Sequence, residues 1–272
     1  MSGPQAPSGY VDVEGARLYY EVAGEGQPLV MAHAGIANLR MWDDQVDAFA
    51  PRYRVIRYDA RSYGQTEGQA DHPFALHEDL RSVMDALAAP RAILMGCSMG
   101  GHTILDFALT YPERVAALVL VGSGLGGYAH DSEEGQRFNT EIGAAVERGD
   151  LESAIELGTR LWVDGPSRPT ARVDPTMRVH AKAMLAQAFS APDFVEPAPL
   201  EPPAAGRLAG IAAPTLVIVG QNDMEDIQRI ARKLAAEIRG ARLSRIDDAA
   251  HLPNMDHPAE FNTLVLDFLA AL

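Results

Sequence analysis

The sequence predicts an α/β fold: a mostly parallel eight-stranded sheet flanked by helices, with a helical cap inserted after strand 6. Apolar strand-like runs alternate with amphipathic helical stretches up to residue 123 and again from residue 207. Such alternation is typical of a parallel sheet covered on both faces. Between these regions helical stretches follow one another without strands. A third observation is the pentapeptide at 96–100, Gly-Cys-Ser-Met-Gly, which joins a strand-like run to a helix-like run.

The individual elements follow from local patterns. A hairpin is predicted over residues 10–23, with its turn at Glu14-Gly15. Apolar positions at helical spacing predict helices that pack on the sheet, and one of them is expected to run from about Asp226 through Ile238, with Gly240 as its cap. The strand-like runs lie at 28–32, 53–58, 92–95, 115–121, 215–220 and 242–247, and the run at 215–220 is expected to be buried.

The break in the alternation divides the chain. Residues 1–123 and 207–272 are predicted to form the core domain, and residues 124–206 the cap, or lid. Within the cap, helix-like stretches lie near 132–148, 150–163 and 173–189, and the proline-rich residues 190–205 are expected to return in extended form. A helical insertion after the sixth strand is expected to lie over the pentapeptide, exclude water and shape a pocket.

Composition narrows the function classes. The chain has 272 residues, 47% of them hydrophobic, and a formal net charge of −14, which argues against nucleic acid or acidic membrane surfaces as partners. The single cysteine, Cys97, excludes an internal disulfide and a multi-thiolate metal site, and neither a cofactor nor a metal is expected. Residues 1–9 lack the features of a signal peptide, and no apolar run has the length of a membrane span. We therefore expect a cytoplasmic protein, with a homodimer as an open possibility.

The pentapeptide predicts a nucleophile elbow at Ser98. In this G-x-S-x-G turn a serine takes a strained backbone conformation between strand and helix, and its hydroxyl is exposed above the sheet. Gly96 and Gly100 are needed because side chains there would collide where strand and helix approach closely. Cys97 is interpreted as a buried small apolar residue rather than a second nucleophile.

The partners of Ser98 are predicted by their position after strands. Where this turn occurs, the chain order is nucleophile, acid, histidine, each on a loop at the carboxyl edge of the sheet. Asp223 follows the run at 215–220, and His251 follows the run at 242–247. The alternatives are Asp226 as the acid and His257 as the histidine, but His257 precedes Pro258 and fits the start of the last helix.

Acyl transfer also requires hydrogen-bond donors for a developing oxyanion. One is expected to be the backbone amide of Met99, at a helix N-terminus. The second is expected from the loop after the strand at 28–32, with Gly35 preferred and Ala34 as the alternative. His33 is expected to make a hydrogen bond within this loop, and His102 to pack on the elbow helix.

These motifs resemble those of α/β-hydrolase-fold enzymes, in the group of 3-oxoadipate enol-lactonases, small carboxylesterases and cofactor-free haloperoxidases. The likeness covers residues 10–123 and 207–272, and besides the elbow and triad loops it is carried by 40–45, 53–61 and 252–255. Two positions depart from the pattern: the loop reads His-Ala-Gly rather than His-Gly-x, and Ser62 stands where glycine is usual.

The resemblance implies a serine hydrolase that cleaves a small carboxylic ester or lactone through an acyl-enzyme, with Ser98, His251 and Asp223 as its triad. Acyl transfer to an alcohol and perhydrolysis use the same apparatus and remain open, and a ligand sensor on a hydrolase scaffold is a third possibility.

Several side chains could line a substrate pocket or could equally pack inside the cap and core. Trp162 is the preferred candidate, since lactonase-like caps carry a tryptophan in a similar place. Arg137, Arg160 and Arg168 could each recognise a substrate carboxylate or simply face solvent. The further pocket candidates are Leu161, Met184 and Phe189 from the cap and Ala34, Trp42 and Met99 from below.

Overall fold

The computed structural model describes residues 7–68, 73–190 and 195–272. Within these ranges eight strands form one sheet in the order β1-β2-β4-β3-β5-β6-β7-β8. The strands are β1 Ser8–Val13, β2 Ala16–Ala23, β3 Gln27–Ala32, β4 Tyr53–Tyr58, β5 Ala92–Cys97, β6 Val115–Val121, β7 Thr215–Gly220 and β8 Arg242–Ile246. β2 pairs antiparallel with β1 and β4, and every pair from β4 to β8 is parallel. The predicted mostly parallel eight-stranded sheet is confirmed.

Helices cover both faces of the sheet. They are α1 Asp43–Phe49, α2 Leu76–Ala86, α3 Met99–Thr110, α4 Glu133–Glu147, α5 Leu151–Gly158, α6 Pro175–Phe189, α7 Glu225–Glu237, α8 Pro253–Asp256 and α9 Pro258–Ala270. Residues of α2, α3 and α7 belong to one hydrophobic cluster, and residues of α1 and α9 belong to the other.

The alternation of side chains along β6 explains why the sequences of the central strands are continuous apolar runs. Leu118 and Leu120 pack in the first cluster, whereas Val119 and Val121 pack in the second. Successive strand residues point to opposite faces, and here both faces are covered, so every position needs an apolar side chain. The core therefore lies in two layers, one on each side of the sheet.

The helices α4, α5 and α6 all lie between β6 and β7, where three helical stretches are predicted. α5 continues directly into a π-helical turn, Thr159–Asp164. Residues 191–194, the first part of the predicted proline-rich return, lie outside the described residues, and residues 195–200 form neither helix nor strand. The division of the chain into core and cap at 124 and 206 stays a prediction.

Two local features refine the sequence interpretation. α7 ends at Glu237, and Ile238 has extended backbone although its side chain is buried, so the helix is shorter than predicted. Gly240, with φ 77°, lies beyond the end of the helix rather than directly after it. Ser62, which stands where glycine is usual, keeps the left-handed conformation with φ 68°, a region that costs a residue with a side chain roughly 1–2 kcal/mol.

Among the described residues, no helix is both long and apolar enough to cross a membrane.

Candidate active site

The turn between β5 and α3 holds Ser98 in a strained conformation. Its backbone has φ 52° and ψ −110°, outside the regions that residues with side chains normally adopt. A Cβ on Gly96 would lie 2.3 Å from the Gly100 carbonyl oxygen, and one on Gly100 would lie 2.1 Å from the Ala32 carbonyl oxygen. The expected close approach of strand and helix is confirmed, and it explains why both positions are glycine.

His251 and Asp223 are brought together at the next strand ends. Asp223 follows β7, and its Oδ2 lies 2.8 Å from Nδ1 of His251, with Oδ1 at 3.1 Å. Asp223 Oδ1 also accepts the backbone amide of Met224 at 2.8 Å, which fixes the orientation of the carboxylate. Both side chains are buried, with exposed fractions of 1% for His251 and 0% for Asp223. Since Nδ1 faces the carboxylate, Nε2 is the ring nitrogen left for other contacts.

The loop that carries His251 lies beside the elbow. The thiol of Cys97, the residue before Ser98, is 3.6 Å from the His251 carbonyl oxygen. Ser98 itself donates its backbone amide to Val121 at the end of β6. None of the hydrogen bonds among the described residues joins the Ser98 hydroxyl to His251; such catalytic bonds commonly tighten only when substrate binds.

Gly122 is a residue of this site that the sequence interpretation did not identify. A Cβ there would lie 3.1 Å from Nδ1 of His251 and 3.2 Å from Oδ2 of Asp223. Its φ of 45° is also in the left-handed region. The absence of a side chain therefore leaves room for the imidazole–carboxylate pair. A glycine directly after a buried strand was the available sequence signal.

Trp162 contacts His251 from the π-helical turn. The two ring centroids are 4.5 Å apart, and the His251 amide donates to the Trp162 carbonyl oxygen at 3.2 Å. Trp162 therefore holds both the ring and the backbone of His251. This is the position at which the sequence predicted a pocket residue from the cap.

Arg168 connects the same turn to the His251 loop, and the sequence interpretation of this residue was wrong. Its side chain is only 1% exposed, and Nη1 lies 2.7 Å from Asp256 Oδ2, an oxygen that also accepts the Ala250 amide at 3.3 Å. Arg168 further donates to the carbonyl oxygens of Asp164 and Asp248. Because all of these contacts are internal, Arg168 neither faces solvent nor is available to a substrate carboxylate.

The other two arginines considered for that role differ from each other. Arg160 donates to the carbonyl oxygens of Pro166 and Arg168 at 3.0 and 2.6 Å, so its guanidinium is already engaged. Arg137 is exposed and lies 5.2 Å from the centre of the Phe138 ring.

The loop after β3 is fixed by His33. Nδ1 of this buried histidine lies 2.8 Å from the Ala34 carbonyl oxygen, and Nε2 lies 2.9 Å from the Ala60 amide nitrogen. The Ala60 amide can only donate, so Nε2 is the acceptor and Nδ1 carries the proton. The expected hydrogen bond of His33 within the loop is confirmed. Burial lowers the pKa of His33, against the opposing effect of Asp59, so the neutral ring is favoured.

The two candidate oxyanion amides differ in their hydrogen bonding. The Ala34 amide donates to Sδ of Met41 at 3.3 Å. The hydrogen bonds among the described residues give the amides of Gly35 and Met99 no acceptor. A Cβ on Gly35 would lie 3.6 Å from Cβ of Met99, so the two residues are neighbours. The geometry therefore favours Gly35 over Ala34 as a donor.

The remaining alternatives have other contacts. Asp226 is fully buried and accepts the hydroxyl of Ser132 at 2.6 Å, joining the starts of α7 and α4. His257 precedes α9, as expected. Burial raises the pKa of the Cys97 thiol, with the charge of Asp223 as a second cause, which favours its interpretation as an inert buried residue.

The other pocket candidates are mostly enclosed. Ala34, Trp42 and Met184 belong to the hydrophobic cluster on the α1 and α9 side of the sheet, where Trp42 lies 6.4 Å from the Phe261 ring. Leu161 is fully buried in the opposite cluster, and Phe189 is partly buried. These positions favour packing, and a role for them in a pocket stays a prediction. No group of three possible metal ligands occurs among the described residues.

Comparison with known proteins identifies the family. The model of the α/β hydrolase fold family matches residues 27–258. A 2-hydroxy-6-oxononadienedioate/2-hydroxy-6-oxononatrienedioate hydrolase from Burkholderia vietnamiensis is 32% identical over 283 residues, which cover 97% of this chain and 96% of that protein. The chain belongs to the α/β hydrolase fold family, and this match together with the hydrolase relative supports the hydrolase class.

Two solved structures extend the comparison. Est816, described as an N-acyl homoserine lactone degrading enzyme, is 29% identical with a TM-score of 0.76, covering 96% of this chain and 100% of that one. The enol-lactonase from Burkholderia xenovorans LB400 is 25% identical with a TM-score of 0.77, with the same coverage of both chains.

The space at Gly122 gives a first testable prediction. Gly122→Ala is expected to displace the imidazole from the carboxylate, since the new Cβ would lie close to both groups. It should also lower the free energy of unfolding by roughly 1–2 kcal/mol, because alanine is strained in the left-handed region. The downfield proton NMR signal of the His251 Nδ1–H bonded to Asp223 should disappear or move upfield. The control is Gly143→Ala, because a Cβ at Gly143 meets no atom within 4 Å. An unchanged signal in Gly122→Ala would contradict the steric argument.

The buried His33 gives a second prediction, for the pH dependence of stability. The unfolded chain protonates this ring near its ordinary pKa of about 6.5, whereas burial lowers the folded pKa. The contribution of the neutral His33 ring to the free energy of unfolding is therefore complete above about pH 6.5. It is lost as the pH falls, by up to about 1.4 kcal/mol per pH unit. Urea unfolding of His33→Gln should show a flatter dependence below about pH 6.5 than the native protein. The exposed His130→Gln is the control, and an equally steep slope in His33→Gln would refute the assignment.

Proposed function

We propose that the chain is a serine hydrolase that cleaves a small carboxylic ester or lactone through an acyl-enzyme. The observation that carries the proposal is the contact of 2.8 Å between His251 Nδ1 and Asp223 Oδ2, beside a serine held at φ 52° between β5 and α3. A strained serine next to an oriented, buried imidazole is the arrangement that makes an alcohol nucleophilic.

The first half of the reaction uses the ring nitrogen that faces away from Asp223. In this mechanism His251 Nε2 accepts the Ser98 hydroxyl proton as the oxygen attacks the substrate carbonyl. Asp223 keeps the imidazole in the required tautomer and stabilises the imidazolium. The amides of Gly35 and Met99 donate to the oxyanion, and Met99 opens α3, where the helix dipole favours negative charge.

The second half releases the acyl group. His251 gives its proton to the leaving alcohol, or to the alkoxide of an opened lactone, and the ester bond breaks. Water then attacks the acyl-enzyme while Nε2 accepts its proton, and the acid leaves as the Ser98 hydroxyl is restored. Peroxide or an alcohol in place of water would give perhydrolysis or acyl transfer from the same acyl-enzyme.

Electrostatics support a neutral substrate. The Burkholderia vietnamiensis relative is named for dioates, which carry two carboxylates, and recognition of such anions normally uses arginine or lysine. Here Arg160 and Arg168 are engaged by internal carbonyl and carboxylate groups, and the chain has a net charge of −14. The likeness to Est816 also favours a neutral substrate, since the N-acyl homoserine lactones in its description carry no carboxylate.

A second candidate follows from the name of that relative. A 2-hydroxy-6-oxononadienedioate has no ester, so its hydrolysis must break a carbon–carbon bond next to a ketone. A serine, a histidine and an oxyanion site could serve that reaction too, and the identity of 32% favours testing it. Non-catalytic sensing of a ligand is the third outcome of the same experiment.

We expect p-nitrophenyl acetate, p-nitrophenyl butyrate and a panel of lactones to be hydrolysed by the native protein. Ser98→Ala and His251→Ala should lower kcat by at least about 10⁴-fold, and Asp223→Asn by about 10⁴-fold, because it favours the wrong imidazole tautomer. The control is Ser82→Ala, at a partly exposed residue of α2. The measurement is kcat/KM for each substrate.

The dioate is assayed alongside the esters. A higher kcat/KM for 2-hydroxy-6-oxononadienedioate than for every ester and lactone would replace the proposal with the second candidate. Turnover of none of these substrates, together with equal ligand binding by the native protein and Ser98→Ala, would favour the sensor.

A further inference from the structure

Tyr63 brings a hydroxyl group to the loop that carries Gly35. A Cβ on Gly35 would lie 3.4 Å from the Tyr63 hydroxyl oxygen and 3.6 Å from Cβ of Met99. Gly35 follows β3 and Tyr63 follows β4, and both strands run parallel to β5, whose carboxyl end carries Ser98. The Tyr63 hydroxyl therefore lies beside the two residues whose amides are proposed for the oxyanion.

The backbone around Tyr63 is tightly held. The residues on either side of it are in the left-handed region, with φ 68° at Ser62 and 54° at Gly64. A Cβ on Gly64 would collide with the carboxylate of Asp59, which also accepts the Gln65 amide at 2.8 Å. A strained residue such as Ser62 persists only where its surroundings hold it in place. The turn after β4 thus fixes the position from which the Tyr63 side chain starts.

The ring of Tyr63 is fixed as well. It makes an edge contact with the ring of His33, with centroids 4.9 Å apart. His33 is itself held by the Ala34 carbonyl oxygen and the Ala60 amide. Because this contact involves the ring and not the hydroxyl, a phenylalanine at position 63 would keep it.

The hydroxyl of Tyr63 is unpaired and has open space in front of it. It makes no hydrogen bond with any of the described residues. Within the same part of the chain, the unpaired side-chain atoms that are fully enclosed belong to Trp42, Arg54, Asp106 and Asn254. Tyr63 is partly buried and its oxygen is not one of these atoms, so this oxygen keeps accessible surface. A ligand in the site can therefore meet it.

This hydroxyl is a donor throughout the neutral pH range. Burial raises the pKa of Tyr63 to about 12, so the phenol keeps its proton. A hydrogen bond from a hydroxyl to a negatively charged oxygen is roughly twice as strong as one to a neutral oxygen. Such a donor stabilises a developing oxyanion more than the substrate carbonyl, which is the condition for lowering the barrier.

The distance between the two donors allows them to share one oxygen. A Cβ lies about 2.5 Å from the amide nitrogen of its own residue, so the Tyr63 oxygen is at most about 6 Å from the Gly35 nitrogen. Two donors that each lie about 3 Å from one acceptor can be up to about 6 Å apart. An oxygen bound by the Gly35 amide can thus also accept from Tyr63.

We propose that the Tyr63 hydroxyl is a third hydrogen-bond donor to the oxyanion that forms when Ser98 attacks a carbonyl, together with the amides of Gly35 and Met99. The proposal rests on the proposed function, because it requires that oxyanion. As the bond from Ser98 forms, the carbonyl π electrons move onto oxygen and the hydrogen bond from Tyr63 strengthens. The phenol keeps its proton, and Tyr63 is a catalytic residue of this step.

Tyr63→Phe tests the proposal, since it removes the donor and keeps the ring. For p-nitrophenyl butyrate kcat should fall about 10²-fold, the usual loss for one oxyanion donor, whereas KM should stay within about twofold because the bond is used in the transition state. The control is Tyr53→Phe, the same change at a partly buried tyrosine that begins β4 at the opposite edge of the sheet. It should keep the native kcat. Thermal unfolding of both variants should match the native protein.

A pair of ketones gives a measurement that a structural role would not change. Ser98 Oγ adds to the carbonyl carbon of 1,1,1-trifluoropentan-2-one, its proton passes to His251, and the ketone oxygen becomes an oxyanion. The inhibition constant of this ketone should rise about 10²-fold in Tyr63→Phe, in step with the loss of kcat. Pentan-2-one has the same chain and binds without forming the adduct, so its inhibition constant should stay within about twofold.

Two results would overturn the proposal. One is a Tyr63→Phe variant whose kcat and trifluoroketone inhibition constant lie within about threefold of the native values. The other is an equal loss of affinity for both ketones, which would mean that the hydroxyl shapes the pocket and does not bind the oxyanion.

The failure of this proposal can be distinguished from the failure of the proposed function. If the native protein hydrolyses p-nitrophenyl butyrate, Ser98→Ala abolishes this and Tyr63→Phe keeps the native kcat, the function stands and the role of Tyr63 falls. If no ester or lactone is hydrolysed, the function falls and calorimetric binding of the trifluoroketone decides on Tyr63. Binding that weakens about 10²-fold in Tyr63→Phe supports the third donor, and equal binding, or none by the native protein, refutes it.

Discussion

The structure of the site depends on the close approach of three strand ends. β5, β6 and β7 are neighbours and run parallel, so Ser98, Gly122 and Asp223 emerge at the same edge of the sheet. The His251–Asp223 pair lies against the backbone of Gly122, and a single Cβ at that position would reach both groups. Ser98 lies on the other side of β6, where its backbone amide bonds to Val121. The spacing of these strands therefore sets the distance between Ser98 and the His251–Asp223 pair.

The insertion between β6 and β7 adds a second constraint on His251. Its π-helical turn contacts the histidine ring through Trp162 and the backbone through a carbonyl oxygen. Arg168 then joins that turn to Asp256, which holds the Ala250 amide next to His251. Removing one partner of such a buried pair typically costs about 3–5 kcal/mol. The inserted segment therefore helps to position His251, besides any role in covering the site.

The sequence allowed the sheet and the order of the site residues to be predicted because both have strong local patterns. The run Val115–Val121 is apolar throughout, as a strand covered on both faces requires. Ser98 and Asp223 each follow such a run, and His251 follows the last strand, which is more polar. Gly35 was already preferred over Ala34, but the contact that engages the Ala34 amide, with the sulfur of Met41 seven residues further on, has no sequence pattern that reveals it. Arg168 was misinterpreted for the same reason, since arginine is usually exposed and its partner Asp256 lies far along the chain.

A crystal structure of the protein after reaction with a fluorophosphonate tests the central claim most directly, because the phosphonyl group resembles the tetrahedral intermediate of acyl transfer. The account predicts that phosphorus is bonded to Ser98 Oγ, that the phosphoryl oxygen accepts from the amides of Gly35 and Met99, and that His251 Nε2 lies within hydrogen-bonding distance of the adduct. A phosphorus atom on another residue, or a phosphoryl oxygen directed away from both amides, would contradict it.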